Sequence, residues 1–250
     1  MNMLAVKGLS KSFGGVRAVE RVNFSVAAGE LLAMIGPNGA GKTTCFNLIN
    51  GQLRPDAGEI YFEDRKIQGL PPRERCRLGL GRTFQVAATF GSMTASENVA
   101  VARLSRERKL GSLFTSFRGS SGKETRALLA QVGMESQADR PCAELAYGDL
   151  KRIEFALALA ARPRLLLMDE PTAGMASAER GELMRLVADI ARRENIAVLF
   201  TEHDMDVVFR HADRVIVLAD GELIAQGTPA EVRADAQVRR VYLGEEAAHA

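Results

Sequence analysis

Nine residues, GPNGAGKTT at positions 36–44, constrain the fold of this chain more than any other stretch. They follow the apolar run LLAMI at 31–35 and precede CFNLIN, which we expect to continue as a helix. The pattern G-x-x-x-x-G-K-[ST] between a strand and a helix lets backbone N–H groups surround phosphate, and the helix N-terminus adds positive potential. The alternative, a glycine-rich turn without a ligand, does not explain this flanking context. The predicted phosphate loop comprises Gly36, Pro37, Asn38, Gly39, Ala40, Gly41, Lys42, Thr43 and Thr44, with Lys42 directed at the β- and γ-phosphates of a nucleotide and Thr43 at Mg²⁺.

Short apolar runs alternate with helical patterns along much of the chain. Besides LLAMI, they are LLLM at 165–168, AVLFT at 197–201 and VIVL at 215–218. Continuous apolar runs of this length are typical of parallel strands that are covered on both faces. Because a helical pattern follows several of them, we predict an α/β fold with right-handed βαβ units. Residues 4–28 and 59–67 resemble shorter strands between turns, which favours an antiparallel side sheet.

Residues 92–160 differ from the rest because they carry much helical periodicity and little strand signal. We therefore predict one domain, residues 1–250, in which a helical subdomain interrupts an α/β core. Its expected parts are a core with a β subdomain at 1–84 and 163–230, a helical subdomain at 85–162, and a C-terminal helix and tail at 231–250. Within the helical part, Leu150, Ile153, Leu157 and Ala160 share one predicted helical face, and Gly148 and Asp149 stand at its expected start, with Asp149 as a candidate cap.

Two apolar strands end in polar residues that complement the loop. LLLMDE places Asp169 and Glu170 at the carboxyl end of a predicted strand, where open α/β sheets bind ligands. Asp169 is the expected Mg²⁺ partner, and Glu170 is expected to polarise an attacking water. FTEHD places His203 after another strand, where it is expected to bond a γ-phosphate oxygen or that water. Alone, each motif would more often be structural, but their common sheet edge favours a catalytic site.

Composition excludes several other classes of protein. A formal net charge of +2 gives no broad positive field for nucleic acid, so no nucleic-acid partner is expected. The three cysteines form no CxxC or Cys/His cluster, which argues against structural zinc or a disulfide framework. No stretch approaches the roughly 20 apolar residues of a membrane-spanning helix. We expect a soluble chain in the cytoplasm.

Taken in order, the motifs resemble those of an ABC transporter ATP-binding subunit, and the likeness covers nearly the whole chain. GPNGAGKT matches the phosphate loop, Gln85 in GRTFQ the Q-loop, LAYGD the signature, LLLMDE the Walker B strand, and His203 the switch histidine. Phe13 in KSFGG matches the aromatic residue that stacks on adenine. The resemblance implies a P-loop NTPase (RecA-like) core with a parallel sheet, an antiparallel β side sheet and an inserted α-helical subdomain.

The resemblance also implies a Mg²⁺-dependent ATPase with Glu170 and His203 as catalytic residues. Two such subunits, identical or paralogous, would pair head to tail and enclose ATP between one phosphate loop and the other signature. The signature residues Leu145, Ala146, Tyr147, Gly148 and Asp149 would then contact nucleotide, and Gln85 would contact both nucleotide and Mg²⁺. The chain departs from the family pattern in two motifs. Within the LSGGQ signature, Ala146, Tyr147 and Asp149 replace the usual residues. After Walker B, Ala176 stands where an Asp or Asn is usual.

A narrower resemblance is to the ATPase subunits of branched-chain (hydrophobic) amino acid importers. It depends on the segments GLGRTFQ, MTASENVAVA, LAYGDLKRIEFALALA, EHDMDVVF and GTPAEVRADAQVRRVYLGE. It implies membrane permease subunits as partners, a periplasmic solute-binding protein as an indirect one, and a position on the inner face of the cell membrane. The alternatives are the ATPase of a lipid or glycan exporter, a soluble ABC ATPase without a transport role, and a regulatory module that has lost hydrolysis.

Overall fold

The structure, a computed structural model, describes residues 2–83, 89–107 and 120–241 of the 250-residue chain. Its strands are β1 (Asn2–Phe13), β2 (Val16–Ala27), β3 (Leu31–Ile35), β4 (Ala57–Phe62), β5 (Arg65–Lys66), β6 (Leu80–Arg82), β7 (Leu165–Asp169), β8 (Ala197–Thr201), β9 (Arg214–Ala219) and β10 (Glu222–Gly227). Its helices include α1 (Lys42–Asn50), α2 (Pro72–Leu78), α3 (Ala95–Glu107), α4 (Ser120–Gln131), α5 (Tyr147–Ala160), α6 (Ser177–Glu194), α7 (Met205–His211) and α8 (Pro229–Ala234). Residues 236–241 are also helical.

Two sheets organise the described strands. The larger has six strands in the order β10-β9-β3-β8-β7-β6, and all neighbours pair in parallel except β10, which forms an antiparallel hairpin with β9. The smaller is antiparallel, with the order β2-β1-β4-β5. The α/β fold with an antiparallel side sheet is therefore confirmed. Glu222–Gly227 supplies the second arm of the β9–β10 hairpin at the edge of the larger sheet.

The six-stranded sheet is buried on both faces, which explains its continuous apolar runs. Leu31, Ala33 and Ile35 of β3 pack into a core shared with α5, α6 and α7. Leu32 and Met34 point to the other face, where the core includes α1 and the side sheet. Alternation along one strand thus places successive side chains in two separate cores.

The central helical part contains α3, α4 and α5, with short 3₁₀ turns at Glu135–Gln137 and Cys142–Glu144. Between residues 89 and 160 the described backbone pairs as β structure only through the isolated Thr94–Pro141 bridge. This agrees with the weak strand signal of that stretch. The exact limits of the helical subdomain, 85–162, stay a prediction.

The helix behind the phosphate loop has its carboxyl end fixed by a buried cation. Arg75 of α2 is 1% exposed, and its Nη1 donates to the carbonyls of Leu48 and Ile49 at 2.7 and 2.6 Å. Burial lowers the pKa of Arg75 to about 10, so the guanidinium remains charged at neutral pH. A cation at a helix C-terminus is favoured by the helix dipole. The contact anchors α1, and with it the loop at the other end of this helix.

A nucleotide-binding cleft

The predicted phosphate loop connects β3 to α1, and two of its glycines are sterically required. A Cβ atom on Gly36 would lie 2.1 Å from the Leu218 carbonyl oxygen, and one on Gly41 would lie 2.2 Å from that of Ala18. Gly41 also has φ +101°, a conformation that residues with a Cβ rarely adopt. Asn38 and Gly39, in contrast, are exposed. The loop is therefore packed tightly against the protein on one side and open on the other.

Lys42 crosses this loop. Its side chain is 8% exposed, and Nζ donates to the carbonyl oxygens of Gly36 and Pro37. The ammonium group thus lies where the loop would surround a phosphate. Thr43 is exposed at the start of α1, so its hydroxyl is accessible from the open side.

The cleft over this loop is lined by residues of three motifs that are far apart in sequence, namely the phosphate loop, LLLMDE and FTEHD. It has a volume of about 180 Å³ and is lined by Ala18, Asn38, Gly39, Ala40, Gly41, Lys42, Thr43, Thr44, Glu170 and His203. The order of the parallel strands explains this, because β8 lies between β3 and β7 and the three carboxyl ends meet at one edge. The structure therefore brings Glu170 and His203 to the phosphate loop, as the sequence predicts.

Glu170 and His203 are in direct contact. His203 Nε2 lies 2.8 Å from Glu170 Oε1. The Glu170 backbone has φ +49° and is held there by two hydrogen bonds from its N–H, to the carbonyl and the hydroxyl of Thr201 at 3.2 and 3.1 Å. A left-handed backbone at a residue other than glycine is strained, and such strain is concentrated at functional sites. The bend directs the Glu170 carboxylate towards the cleft.

Asp169 is buried behind the cleft at 4% exposure, and both of its carboxylate oxygens have partners. Thr201 Oγ1 donates to Oδ1 at 2.8 Å, and Arg82 Nη2 donates to Oδ2 at 3.2 Å. Arg82 Nη1 also donates to Asn47 Oδ1 of α1 at 2.7 Å. Arg82 thereby connects the end of β7 to the helix that follows the phosphate loop. Neither Arg82 nor Thr201 was identified from the sequence.

The residues present fit a nucleotide with a bound Mg²⁺. The open side of the loop offers backbone N–H groups, a lysine and a threonine hydroxyl, which match a polyphosphate. Among the described residues, no group of three or more His, Cys, Asp and Glu is placed to hold a metal. Mg²⁺ in proteins is commonly held by one or two carboxylates together with substrate phosphates. One carboxylate, Asp169, beside a phosphate loop is consistent with that arrangement.

Phe13, the expected adenine contact, is the last residue of β1. Its side chain is 45% exposed, and Lys11 Nζ lies 5.5 Å from the ring centroid. The β1–β2 hairpin continues to Ala18, whose carbonyl packs against Gly41 of the phosphate loop. An exposed aromatic ring on this hairpin has a free face for a base, and its role stays a prediction. Gln85 lies outside the described residues.

The signature residues lie elsewhere, since none of them lines the cleft. Leu145 is buried, Ala146 is the N-cap residue, and α5 begins at Tyr147. The expected helix start at Gly148 and Asp149 is therefore wrong by one to two residues, and the cap assigned to Asp149 is wrong because its side chain lies within the first turn. Tyr147 Oη donates to the Ala173 carbonyl at 3.1 Å, which ties the signature to the turn that follows Glu170.

The predicted apolar face of α5 is only partly correct. Ile153 and Ala160 are buried, but Leu150 and Leu157 are half-buried, whereas Lys151 and Glu154 are 5% and 8% exposed. Lys151 Nζ lies 3.1 Å from Glu154 Oε2 and 5.4 Å from the Tyr147 ring centroid. The helix is covered on more than one side, so the burial of this pair does not follow a single 3.6-residue stripe. Lys151 is thus not the exposed residue that its charge suggests.

Arg152 is also engaged, because its Nη2 donates to Glu182 of α6 at 3.1 Å. Lys151 and Arg152 are therefore paired with Glu154 and Glu182 and not with Asp149. In the described part of the chain, no helix is long and apolar enough to cross a membrane.

Comparison with known proteins extends these observations. Residues 19–173 match the model of the ABC transporter family, and residues 222–248 match that of the branched-chain amino acid ATP-binding cassette transporter. The chain is 39% identical to the high-affinity branched-chain amino acid transport ATP-binding protein LivG of Escherichia coli (strain K12), over 97% of this chain and 98% of LivG. It is 36% identical to the lipopolysaccharide export system ATP-binding protein LptB of Acidithiobacillus ferridurans, over 98% of each chain.

Among solved structures, the ADP conformation of MJ1267, an ATP-binding cassette of an ABC transporter, superposes with a TM-score of 0.87. Its sequence is 30% identical, and the match covers 98% of this chain and 99% of that one. A likeness of this extent includes both sheets and the helical part.

Proposed function

The chain belongs to the ABC transporter family, and from that premise we propose that it is the ATP-hydrolysing subunit of an importer for branched-chain or related hydrophobic amino acids. As a member of this family it is an ATPase that uses Mg²⁺. The observation that carries the catalytic assignment is the single cleft in which the phosphate loop meets Glu170 and His203. The match of residues 222–248 to the branched-chain family model supports the solute class.

Substrate binding is assigned to the phosphate loop. Its backbone N–H groups and the Lys42 ammonium hold the β- and γ-phosphates, and the ring of Phe13 stacks on adenine. Thr43 and Asp169, together with Gln85, would hold Mg²⁺. The ion would supply positive charge that offsets the negative charge of the phosphates.

Hydrolysis is assigned to the pair formed by Glu170 and His203. The Glu170 carboxylate accepts a proton from the attacking water, and its position is fixed by the strained backbone and by the 2.8 Å contact to His203. The His203 ring, half-exposed in the cleft, is in reach to bond a γ-phosphate oxygen as well as Glu170. Chemistry is therefore assigned to groups at the carboxyl ends of β7 and β8.

A second ATPase subunit, identical or paralogous, completes the site in this proposal. Leu145, Ala146, Tyr147, Gly148 and Asp149 do not reach the cleft of their own chain, which supports their binding the nucleotide of a partner. The α5 N-terminus would direct its free N–H groups and helix dipole at the γ-phosphate. ATP-driven closure of two subunits would move membrane permease subunits, with the chain peripheral on the inner face of the membrane and a periplasmic solute-binding protein supplying the solute.

The phosphate-binding role predicts that Lys42→Ala abolishes turnover. The variant should lose about a hundredfold or more of the Mg²⁺-dependent phosphate release, because removing one fixed charge from a transition state commonly costs that much. The matched control is Lys66→Ala, since Lys66 is an exposed lysine on the side sheet that pairs with Glu59. Phosphate release by both variants and by the unmodified protein is measured with Mg²⁺ and with a chelator. Full activity of Lys42→Ala would overturn the assignment of the loop.

The solute class is tested separately, by the partners that copurify with the chain. An importer predicts permease subunits whose reconstituted complex takes up leucine, isoleucine or valine when the solute-binding protein is added. The identity to LptB favours an exporter as the second candidate, and copurification with a lipid- or glycan-moving permease would support it instead. Tight, salt-sensitive binding to nucleic acid would favour a non-transport ABC ATPase.

A further inference from the structure

Glu202, between β8 and His203, is a buried carboxylate next to the cleft, and the motifs above do not explain it. Its residue is 5% exposed. One carboxylate oxygen, Oε1, accepts hydrogen bonds from both the backbone N–H and the hydroxyl of Thr172, at 2.8 and 2.6 Å. The other, Oε2, accepts from the backbone N–H of His203 at 3.2 Å. Three neutral donors therefore hold this charge.

No lysine or arginine of residues 2–83, 89–107 and 120–241 forms an ion pair with Glu202. A buried carboxylate without a cation is costly even when it is hydrogen-bonded, so an apolar or neutral residue would generally be more stable in its place. The stability of the fold therefore does not explain why a glutamate occupies this position.

The contacts of Glu202 close a ring around the catalytic pair. Thr172 lies two residues after Glu170, and His203 directly follows Glu202 in the chain. The ring runs from Glu170 along the backbone to Thr172, through the Glu202 carboxylate to the His203 backbone, and from the His203 imidazole back to Glu170 at 2.8 Å. Every connection in it is a covalent bond or a hydrogen bond. Glu202 thus supplies a second link between the segments that carry Glu170 and His203, beside the two hydrogen bonds from the Glu170 N–H to Thr201.

We propose that Glu202 is a positioning residue for ATP hydrolysis, which holds the backbone of His203 at a fixed distance from the segment that carries Glu170. This proposal rests on the roles assigned above to Glu170 and His203. A carboxylate suits the task because its two oxygens accept from both sides at once. A glutamine has a single acceptor oxygen, and its amide nitrogen carries only donors.

Glu202→Gln is therefore the informative substitution. Its oxygen will face Thr172, which supplies two donors, so its NH₂ group will face the N–H of His203 and repel it. We expect kcat to fall about tenfold or more, since small misplacements of catalytic groups are costly, while the KM for ATP changes less than twofold. We also expect the His203 amide proton of the nucleotide-free protein to exchange faster, with Thr172 still protected.

A matched control separates positioning from stability. Glu30→Gln changes another glutamate with a largely buried side chain, which accepts from the Ala27 N–H at the far end of β3 and pairs with Arg214. It should retain kcat within about twofold, even if its melting temperature falls as far as that of Glu202→Gln.

The outcomes are distinct. A Glu202→Gln protein with unchanged kcat, or one whose loss of kcat is matched by Glu30→Gln, overturns the proposal. If Glu202→Gln does not fold, Glu202→Asp takes its place, because a side chain one methylene shorter reaches only one of the two partners and should show the same loss of kcat. Absence of ATPase activity in the unmodified protein, or full activity in Glu170→Gln, would instead contradict the proposed function on which this inference rests.

Discussion

Asp149 is the signature residue least suited to binding a phosphate, because its side chain carries a negative charge. It is the third residue of α5 and half-buried, and among the described residues none hydrogen-bonds its side chain. A carboxylate in the first turn of a helix is stabilised by the helix dipole by roughly 0.3–1 kcal/mol. In the proposed dimer, the same charge would repel the γ-phosphate that the partner subunit holds near this helix end. Folding would then favour Asp149, whereas dimerisation would disfavour it.

We predict that Asp149→Gln tightens ATP-driven dimerisation several-fold at low salt, because the substitution removes a like charge near the phosphate, and that the gain declines as salt screens it. The dimer dissociation constant with ATP is measured by sedimentation across a salt series. Glu222→Gln, which removes the same charge from the exposed start of β10, is the control. A dissociation constant that is unchanged by Asp149→Gln at every salt concentration would show that the carboxylate faces away from the phosphate.

Single residues also show what the sequence reveals about the site and what it hides. The phosphate loop, Asp169, Glu170 and His203 were identified because each lies in a short motif at the end of an apolar strand. Arg82 was not, because its significance depends on Asn47 and Asp169, which are 35 and 87 positions away in the chain. Glu202 was overlooked for the same reason, since its partner Thr172 is 30 residues distant. Contacts of this kind appear only once the strand order is known.

At the scale of secondary-structure elements, α5 shows why periodicity predicts a helix better than it predicts burial. The helix was expected from its apolar spacing, and it is present, but its buried residues include the ion pair of Lys151 and Glu154. Burial raises the pKa of Glu154, and Lys151 opposes that effect. β6 was missed because three residues carry too little pattern to predict a strand. Pairing with β7 determines its conformation, and pairing is not visible in a local window.

We predict that Lys151→Met destabilises the protein by about 3–5 kcal/mol at neutral pH, because it leaves a buried charge without its partner. Burial raises the pKa of Glu154, and loss of Lys151, which opposes that effect, should raise it further. The loss of stability should therefore be smallest at acidic pH, where this carboxyl group is protonated with or without Lys151, and should grow as the pH rises and Glu154 ionises.

Urea unfolding of the variant and the unmodified chain at several pH values measures this loss. The double variant Lys151→Met/Glu154→Leu should recover most of the stability, because it removes both charges. A loss that does not depend on pH, or that the double variant fails to relieve, would show that packing of the Lys151 side chain matters more than its charge.

On the scale of the whole molecule, the fold was predictable because the order of strands and helices restricts an α/β chain to few arrangements. The parallel sheet and the side sheet follow from apolar runs and turns, and strand order then brings three distant motifs to one edge. One chain nevertheless holds only part of the proposed site. The phosphate loop, Glu170 and His203 share a cleft, whereas the signature lies at the start of α5, away from that cleft.

The central claim is that two chains enclose ATP, and sedimentation of the Glu170→Gln variant tests it most directly. The substitution removes the carboxylate that we propose accepts a proton from water but leaves the phosphate loop and the signature intact, so bound ATP should persist. We predict a monomer without nucleotide or with ADP, and a dimer with ATP and Mg²⁺ that contains one ATP per chain. A Glu170→Gln protein that binds ATP with Mg²⁺ yet remains monomeric at every protein concentration tested would contradict the shared site.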